Sequence, residues 1–195
     1  MLLSGRVLSI QVGRVRPLQV GERKLMSAMG KSAVHGAVSV GPLGLAGDEQ
    51  ADLSVHGGLS KAVYALPFEH LAWWQAQRQA KAALLFDETL VPGSLGENLS
   101  LQGLTEDQVF IGDTWHFAHV VLRVTEPRQP CSKFNAVMGY DQAGRDMVQS
   151  GRCGFYLAVD TPGPLSAGET FVVQAGERAI SMADALRHKA RKHLR

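Results

Sequence analysis

The chain has 195 residues, of which 45% are hydrophobic and 19% are charged, and its formal net charge is +2. A chain of this length is long enough for one domain with a sizeable core. Because no apolar run reaches the roughly 18 residues of a membrane-spanning helix and the N-terminus lacks the pattern of a secretion signal, the sequence predicts a cytoplasmic protein with no membrane partner.

The charges and the cysteines narrow the class of protein further. Residues 185–195 hold five cations and no acid, so the rest of the chain carries a net charge of −3. Nucleic-acid-binding surfaces carry a positive charge, whereas this part of the chain has a net negative charge. No nucleic-acid partner is therefore expected. Two cysteines, Cys131 and Cys153, fit a reducing compartment better than a disulfide framework. Cys153 follows no proline and lies in an apolar run, so it is interpreted as a packing residue.

Strands and one long loop are predicted for the first third of the chain. Apolar alternation predicts a strand over residues 3–12, and the extended stretch 15–20 is a candidate hairpin partner for it. Residues 41–60 contain five glycines and leave no room for a regular helix. Loops of this length tend to be functional, and this one holds Asp48, Asp52 and His56.

The middle of the chain combines strands with one helix. Residues 61–66 predict a strand, and Pro67 suits the first turn of a helix. That helix could extend through residues 76–90, until Pro92 ends it. An extended pair of strands is predicted over residues 113–124.

The last third of the chain has the signals of three helices and two strands. A short helix is predicted over residues 133–138, and Asp141 can cap another that runs through Met147. Strands are predicted over residues 152–159 and 169–174, with a turn at residues 161–164 between them. Ser181 is placed to cap a final amphipathic helix.

The order of these elements indicates the fold class. Short strands separated by glycine and proline turns, with helices inserted rather than alternating, predict a mainly β fold with peripheral helices, arranged as a barrel. The sequence contains no glycine-rich nucleotide-binding motif, Cys-x-x-Cys pair or His-x-x-x-His motif. A Rossmann-type fold is therefore not expected.

The segment around Cys131 is the first candidate for chemistry. Pro127 and Pro130 restrict the backbone, so the strand ends there and the thiol is held in place. Arg128 and Lys133 flank the cysteine and favour the thiolate, which attacks electrophiles and binds soft metals. The alternative is that Cys131 packs as a small apolar side chain.

Seven short motifs support a functional interpretation, and they stand at residues 31–32, 44–52, 55–64, 96–99, 103–106, 111–113 and 127–131. Their order and approximate spacing resemble those of the MOSC domain family, and most closely its bacterial YiiM-like branch. The resemblance covers about residues 5–175. It implies a MOSC-type β-barrel that binds the molybdenum cofactor, a phosphorylated pterin that carries a dithiolene.

The resemblance also assigns residues to the site. The family cysteine that ligates molybdenum corresponds to Cys131, in agreement with a thiolate as a soft metal ligand. The Lys-Ser pair near the cofactor's phosphate and pterin corresponds to Lys31 and Ser32, and a lysine charge suits phosphate. The remaining candidates line or support the pocket: Asn98, His56, Gly57, Gly58, Arg128 and Glu126. Asp48 and Asp52 belong either to the site or to a set of loop-bracing hydrogen bonds.

Three functions remain open from the sequence. The first is molybdenum cofactor-dependent reduction of N-hydroxylated compounds, such as hydroxylaminopurines and N-oxides, with His56 or Asp48 relaying a proton. Its electrons must come from a separate reductase, since the sequence shows no flavin, haem or iron-sulfur motif. The second is a non-catalytic carrier of the cofactor or of sulfur on Cys131. The third is a cysteine hydrolase, for which His56 is the candidate base.

The predicted domain organisation is a MOSC barrel over residues 1–176 and a helical tail over residues 177–195. Members of the YiiM-like branch usually continue into a three-helix region, so the tail is expected to be shorter than theirs. The oligomeric state stays open, with a homodimer as one option.

Overall fold

The computed structural model describes residues 3–52, 57–83 and 88–193, and these form mainly strands with four α-helices, as predicted. The strands are β1 (Ser4–Val12), β2 (Arg16–Val20), β3 (Arg23–Ser27), β4 (Ser32–Ala33), β5 (Val38–Gly41), β6 (Gly44–Leu45), β7 (Val63–Pro67), β8 (Leu99–Gln102), β9 (Thr114–His116), β10 (Val121–Pro127), β11 (Phe155–Thr161), β12 (Gly163–Leu165) and β13 (Thr170–Gln174). The helices are α1 (His70–Ala80), α2 (Ser132–Met138), α3 (Ala143–Ser150) and α4 (Met182–His193). None of the described helices is long and apolar enough to cross a membrane.

Seven strands close into a barrel, which confirms the predicted fold class. Their order is β13-β9-β10-β11-β7-β8-β1, and an antiparallel pairing of β1 with β13 completes the ring. The pairing of β7 with β8 is parallel, and the other neighbours in the ring are antiparallel. Closure leaves the ring without a hydrogen-bonding edge.

Aromatic side chains fill the barrel. The Trp115 and Phe171 rings stack with centroids 4.6 Å apart, and Phe155 meets Trp115 edge-on at 5.4 Å. Gly5 of β1 lies opposite Phe171 of β13, and a Cβ at Gly5 would collide with the Phe171 ring. A side chain at residue 5 would therefore require the packed Phe171 ring to shift.

The helices form a second apolar cluster outside the barrel. Trp74 of α1 meets Phe134 of α2 edge-on at 5.3 Å, and Leu186 of α4 belongs to the same buried cluster. Tyr64 and Leu66 of β7 also belong to it. The helical layer therefore packs against β7, and the loops where the two layers meet surround a cleft.

Helix α4 packs on the barrel rather than extending from it. The Asp184 backbone N–H donates to Ser181 Oγ at 3.1 Å, which is the predicted cap. Met182 is buried in the barrel core, and Lys189 Nζ donates to Glu126 Oε2 of β10 at 2.7 Å. The boundary at residue 176 stays a prediction, but residues on both sides of it share one core.

Several predicted elements differ from the observed ones. Residues 16–20 pair with β3 and not with β1. Pro67 is the last residue of β7, and α1 begins at His70. The helix ends at Ala80, where Ala82 adopts a positive φ of 50°, instead of continuing toward Pro92.

Two further differences concern turns. Gln142, not Asp141, precedes the first residue of α3, and the Asp141 carbonyl accepts a hydrogen bond from Asn135 Nδ2. The predicted turn at residues 161–164 is instead the junction of β11 and β12, since Gly163–Leu165 pairs with β5. β5 and β6 lie partly inside the predicted glycine loop because Val40 and Leu45 are buried in the barrel core.

Candidate functional site

A cleft of about 640 Å³, counting its open mouth, lies where the helical layer meets the barrel. The segment that follows β3, the loop after β6 and the start of α2 surround it, over side chains of β7 and β11. Six predicted site residues line this cleft together: Lys31, Asp48, Gly57, Asn98, Arg128 and Cys131. They come from several separate segments of the sequence, and the barrel topology brings these segments together.

Cys131 lies at the cleft in the position that the flanking prolines predict. It immediately precedes α2 in an extended conformation, and its carbonyl accepts the Phe134 N–H at 2.9 Å. The residue is partly buried and is not in a disulfide. The prediction that Cys131 packs only as an apolar side chain is therefore not favoured, since its residue lines a solvent-accessible cleft.

Cys153 has a different environment. The residue is fully buried, and its Sγ donates to the Gly154 carbonyl at 3.1 Å. Burial raises the pKa of the Cys153 thiol well above its ordinary value, with the Glu106 carboxylate acting in the same direction. Cys153 is thus an inert packing residue, as interpreted from the sequence.

Arg128 is a buried cation beside Cys131. Its guanidinium lies over the Phe134 ring at 4.7 Å and over the Tyr64 ring at 5.2 Å, and its Nη1 donates to Met147 Sδ at 3.4 Å. Burial alone would lower the pKa of Arg128, but the phenols and thiols around it hold that pKa above its ordinary value. The guanidinium is therefore fully charged.

No carboxylate in the described residues forms an ion pair with Arg128. A buried charge without a counter-charge is costly. The cation–π contacts offset part of that cost, and an anion in the cleft would offset more. Arg128 is thus placed to hold an anionic group next to Cys131.

Lys31 and Asp48 form a buried ion pair in the wall of the cleft. Lys31 Nζ donates to Asp48 Oδ1 at 2.5 Å, and the two side chains are 6% and 7% exposed. The Gly13 backbone N–H donates to the same oxygen at 2.7 Å. The charge of Lys31 is therefore balanced within the protein, although the residue still lines the cleft.

Asn98 holds Asp48 from the other side. Asn98 Nδ2 donates to Asp48 Oδ2 at 2.8 Å and to the Gln11 carbonyl at 3.2 Å, while its Oδ1 accepts the Tyr64 N–H at 3.1 Å. Asn98 thereby links β1 with β7. Both oxygens of Asp48 are occupied, so the geometry favours the bracing role that the sequence left open for it over a proton relay.

Two tyrosines form part of the cleft that the sequence did not single out. Tyr64 of β7 and Tyr156 of β11 lie opposite each other in the sheet, with ring centroids 5.6 Å apart. Burial raises the pKa of both phenols above the ordinary value. Tyr64 OH donates to the Cys153 carbonyl at 2.9 Å. The available signal was period-two alternation, which places Tyr156 and Tyr64 on one face once the strands are paired.

A charged chain connects the cleft with the C-terminal helix. Glu126 accepts from Lys189 of α4 at 2.7 Å and lies 3.8 Å from Lys61, which lines the cleft. Lys61 Nζ also lies 5.8 Å from the centroid of the Tyr156 ring. Glu126 is therefore near a lysine that lines the cleft, and its supporting role there stays a prediction.

The remaining predicted site residues differ in how close they lie to the cleft. Gly57 lines the cleft with a φ of +83°, which favours glycine, and a Cβ there would displace the Gln50 amide. Gly58 precedes the 3-10 turn Leu59–Lys61 and does not line the cleft. Ser32 is exposed on β4 and does not line the cleft either. His56 lies outside the described residues, and Asp52 lies at the edge of that gap.

The residues present define the donors that the cleft offers. Within the described parts of the chain, no group of three or more His, Cys, Asp or Glu side chains could hold a metal ion. The cleft instead offers one thiol together with cations, which are Lys31, Lys61, Arg128 and Lys133. One thiol and several cations suit a metal that already carries its other ligands and that is bound together with an anionic group.

Comparisons with known proteins agree with the geometry. The family described as MOSC domain matches residues 52–172. Protein YiiM of Escherichia coli is 34% identical over 160 residues, which are 82% of this chain and 68% of that protein. A protein named "Reductase" from Gibberella moniliformis is 32% identical over 167 residues, which are 85% of this chain and 28% of that protein. The crystal structure of YiiM from Geobacillus stearothermophilus superposes with a TM-score of 0.74 at 28% identity, covering 96% of this chain and 85% of that one.

Proposed function

We infer the function from one premise: the chain belongs to the MOSC domain family. That family in general binds the molybdenum cofactor. We propose that this chain binds the cofactor with Cys131 as the protein ligand to molybdenum and reduces N-hydroxylated compounds to the parent amines. The name "Reductase" of the fungal relative supports the reaction class.

The cleft fits the cofactor on two counts. Cys131 supplies a sulfur atom, the soft ligand that a molybdenum centre takes from protein. Among the described residues, four cations and two carboxylates line the cleft, and both carboxylates, Asp48 and Glu49, are hydrogen-bonded within the protein. The excess positive charge suits a phosphorylated pterin.

The residues that would hold the cofactor have distinct roles. The Cys131 sulfur would bind the metal, while Arg128 and Lys133 would attract the anionic parts of the ligand. Asp48 would fix the position of the Lys31 ammonium group. Asn98 would in turn fix the position of the Asp48 carboxylate. When bound, the cofactor supplies a centre for two-electron oxygen transfer.

The overall reaction also requires electrons and protons to reach the cleft. Reducing an N-hydroxyl group to an amine breaks the N–O bond and takes up two electrons and two protons, releasing water. We assign the electrons to a separate reductase, because the sequence shows no motif for a redox cofactor of its own. The protons come from solvent at the open mouth or from His56, and not from Asp48, whose oxygens are occupied.

One observation carries the proposal: a partly buried thiol shares a cleft with a buried guanidinium that has no carboxylate partner in the described residues. The test is expression in a host that makes the cofactor, followed by elemental analysis of molybdenum in the wild type and in Cys131→Ser. Wild type should carry molybdenum and the variant should not. Equal metal in both proteins would refute the ligand assignment.

A non-catalytic carrier of the cofactor or of sulfur is the second candidate. The observation that favours it is that both carboxylates lining the cleft are committed to structural hydrogen bonds. Turnover of N6-hydroxyadenine by the loaded protein with an artificial electron donor separates the two. Loaded protein that turns over no substrate would favour the carrier.

A further inference from the structure

A second groove opens directly beside the Cys131 cleft. Its volume is about 550 Å³ with its open mouth, and it shares Ser27 and Met29 with the cleft. The two spaces are therefore neighbours, and these side chains belong to the walls of both. A ligand that reaches past Ser27 and Met29 would occupy the cleft and the groove together.

The groove has an apolar wall and a basic mouth. The apolar wall consists of Leu18 of β2, Met29 and Val137 of α2, all partly buried. Arg16 lies opposite Ser27 in the β2–β3 hairpin and two residues from Leu18, so it shares a hairpin face with both. Arg16 is thus at the end of the hairpin nearest to the cleft.

Only one of the two arginines at this mouth is balanced by a carboxylate. Arg14 Nη1 pairs with Glu49 Oε1 at 2.9 Å, and Glu49 Oε2 accepts the Val15 N–H at 2.7 Å. That backbone hydrogen bond, together with Arg14, lowers the pKa of Glu49, so this carboxylate stays ionised. Arg16 is exposed and forms no ion pair with any residue that the structure describes. The groove therefore offers an uncompensated guanidinium at the end of an apolar wall.

We propose that this groove binds the ribose phosphate of a nucleotide, so that the chain acts on N-hydroxylated purine nucleotides in preference to the free bases. This rests on the proposed function, which places the N-hydroxyl group of the substrate in the Cys131 cleft. The groove begins beyond the cleft, so the anion it binds must be separated from the reacting ring by a spacer, as ribose separates phosphate from base. Arg16 meets the phosphate because a guanidinium matches phosphate oxygens in charge and geometry.

The first test is binding, measured by calorimetry with N6-hydroxyadenosine 5′-monophosphate and with N6-hydroxyadenosine. The nucleotide should bind about tenfold more tightly than the nucleoside, as expected for one charge-assisted contact. Arg16→Ala should reduce this preference to about twofold or less. Arg23→Ala is the matched control, since Arg23 is an exposed arginine at the other end of the same hairpin and does not line the groove.

The outcomes separate this proposal from the proposed function. Equal binding of nucleotide and nucleoside by the wild type, or equal losses in the Arg16 and Arg23 variants, would overturn the groove assignment. Turnover of the free base by loaded protein, with no gain for the nucleotide, would also overturn it while leaving the reductase function intact. A nucleotide preference that depends on Arg16 in protein without turnover would support the groove and count against the reductase.

Discussion

Lys31 Nζ donates to Asp48 Oδ1 at 2.5 Å between two side chains that are less than a tenth exposed. The two residues lie 17 positions apart, and β4, β5 and β6 lie between them in the sequence. Their charges cancel inside the wall, so the anion-binding potential of the cleft depends more on Arg128 than on Lys31.

Asp48→Asn should destabilise the protein by about 3 kcal/mol, because it leaves the Lys31 ammonium buried without a counter-charge. Urea unfolding followed by circular dichroism measures the loss. The double variant Lys31→Met, Asp48→Asn removes both charges and should be less destabilised than Asp48→Asn alone. Equal losses in the two variants would show that the ion pair is not what stabilises this wall.

Arg128→Met should weaken anion binding while changing the free energy of unfolding only slightly. Methionine keeps much of the apolar contact with Tyr64 and Phe134 but removes the charge. Because the guanidinium has no carboxylate partner in the described part of the chain, the free energy of unfolding should change by less than about 1.5 kcal/mol. Molybdenum content after expression with the cofactor should fall at least about tenfold. Full retention of the metal would remove Arg128 from the site.

The two cysteines should react with iodoacetamide at very different rates. Cys131 lines the open cleft beside a charged guanidinium, whereas Cys153 is fully buried and its raised pKa keeps it a neutral thiol at pH 7. Mass spectrometry of the native protein should find one label, on Cys131, and urea should expose the second. Cys131→Ser should leave no fast-reacting thiol. Labelling of Cys153 in the native state would contradict its burial.

Glu97 should make stability fall as pH rises. Its carboxyl group accepts N–H groups of Gly93 and Leu95 and the hydroxyl of Ser100, yet desolvation outweighs these contacts and raises its pKa above 4.5. The native state therefore binds the proton more tightly than the unfolded state. The stabilising contribution is complete below the unfolded pKa and is lost as pH rises through the folded one.

The measurement for Glu97 compares the wild type with Glu97→Gln, which cannot ionise. The free energy of unfolding of the wild type minus that of the variant should decrease between pH 4 and pH 8. Urea titrations at several pH values give this difference directly. A difference that stays constant or grows with pH would show that the pKa of Glu97 is not raised in the folded state.

Much of the fold could be predicted from local patterns. Alternation identified β1, and the Ser181 cap identified the start of α4. The partner of β2 could not be predicted in this way, because alternation gives the faces of a strand and not its neighbour. Pro67 was misplaced for a related reason: a proline is equally compatible with the end of a strand and with the first turn of a helix.

The site could be predicted where the residues that mark it are close together in the sequence. Two prolines and two cations within seven residues of each other mark Cys131, and the structure places it in the cleft. The Lys31–Asp48 pair and the position of Tyr156 depend on which strands are neighbours, so no local pattern could reveal them. The exposure of Ser32 likewise follows from the pairing of β4 with the end of β1.

The pairing of β1 with β13 has a consequence for how the fold can be used. Because the first and last strands of the barrel are hydrogen-bonded neighbours, the polypeptide enters and leaves the ring at the same seam. A unit with adjacent entry and exit points can be joined into a larger polypeptide without disturbing its interior. In the fungal relative, the matching region makes up 28% of a longer chain.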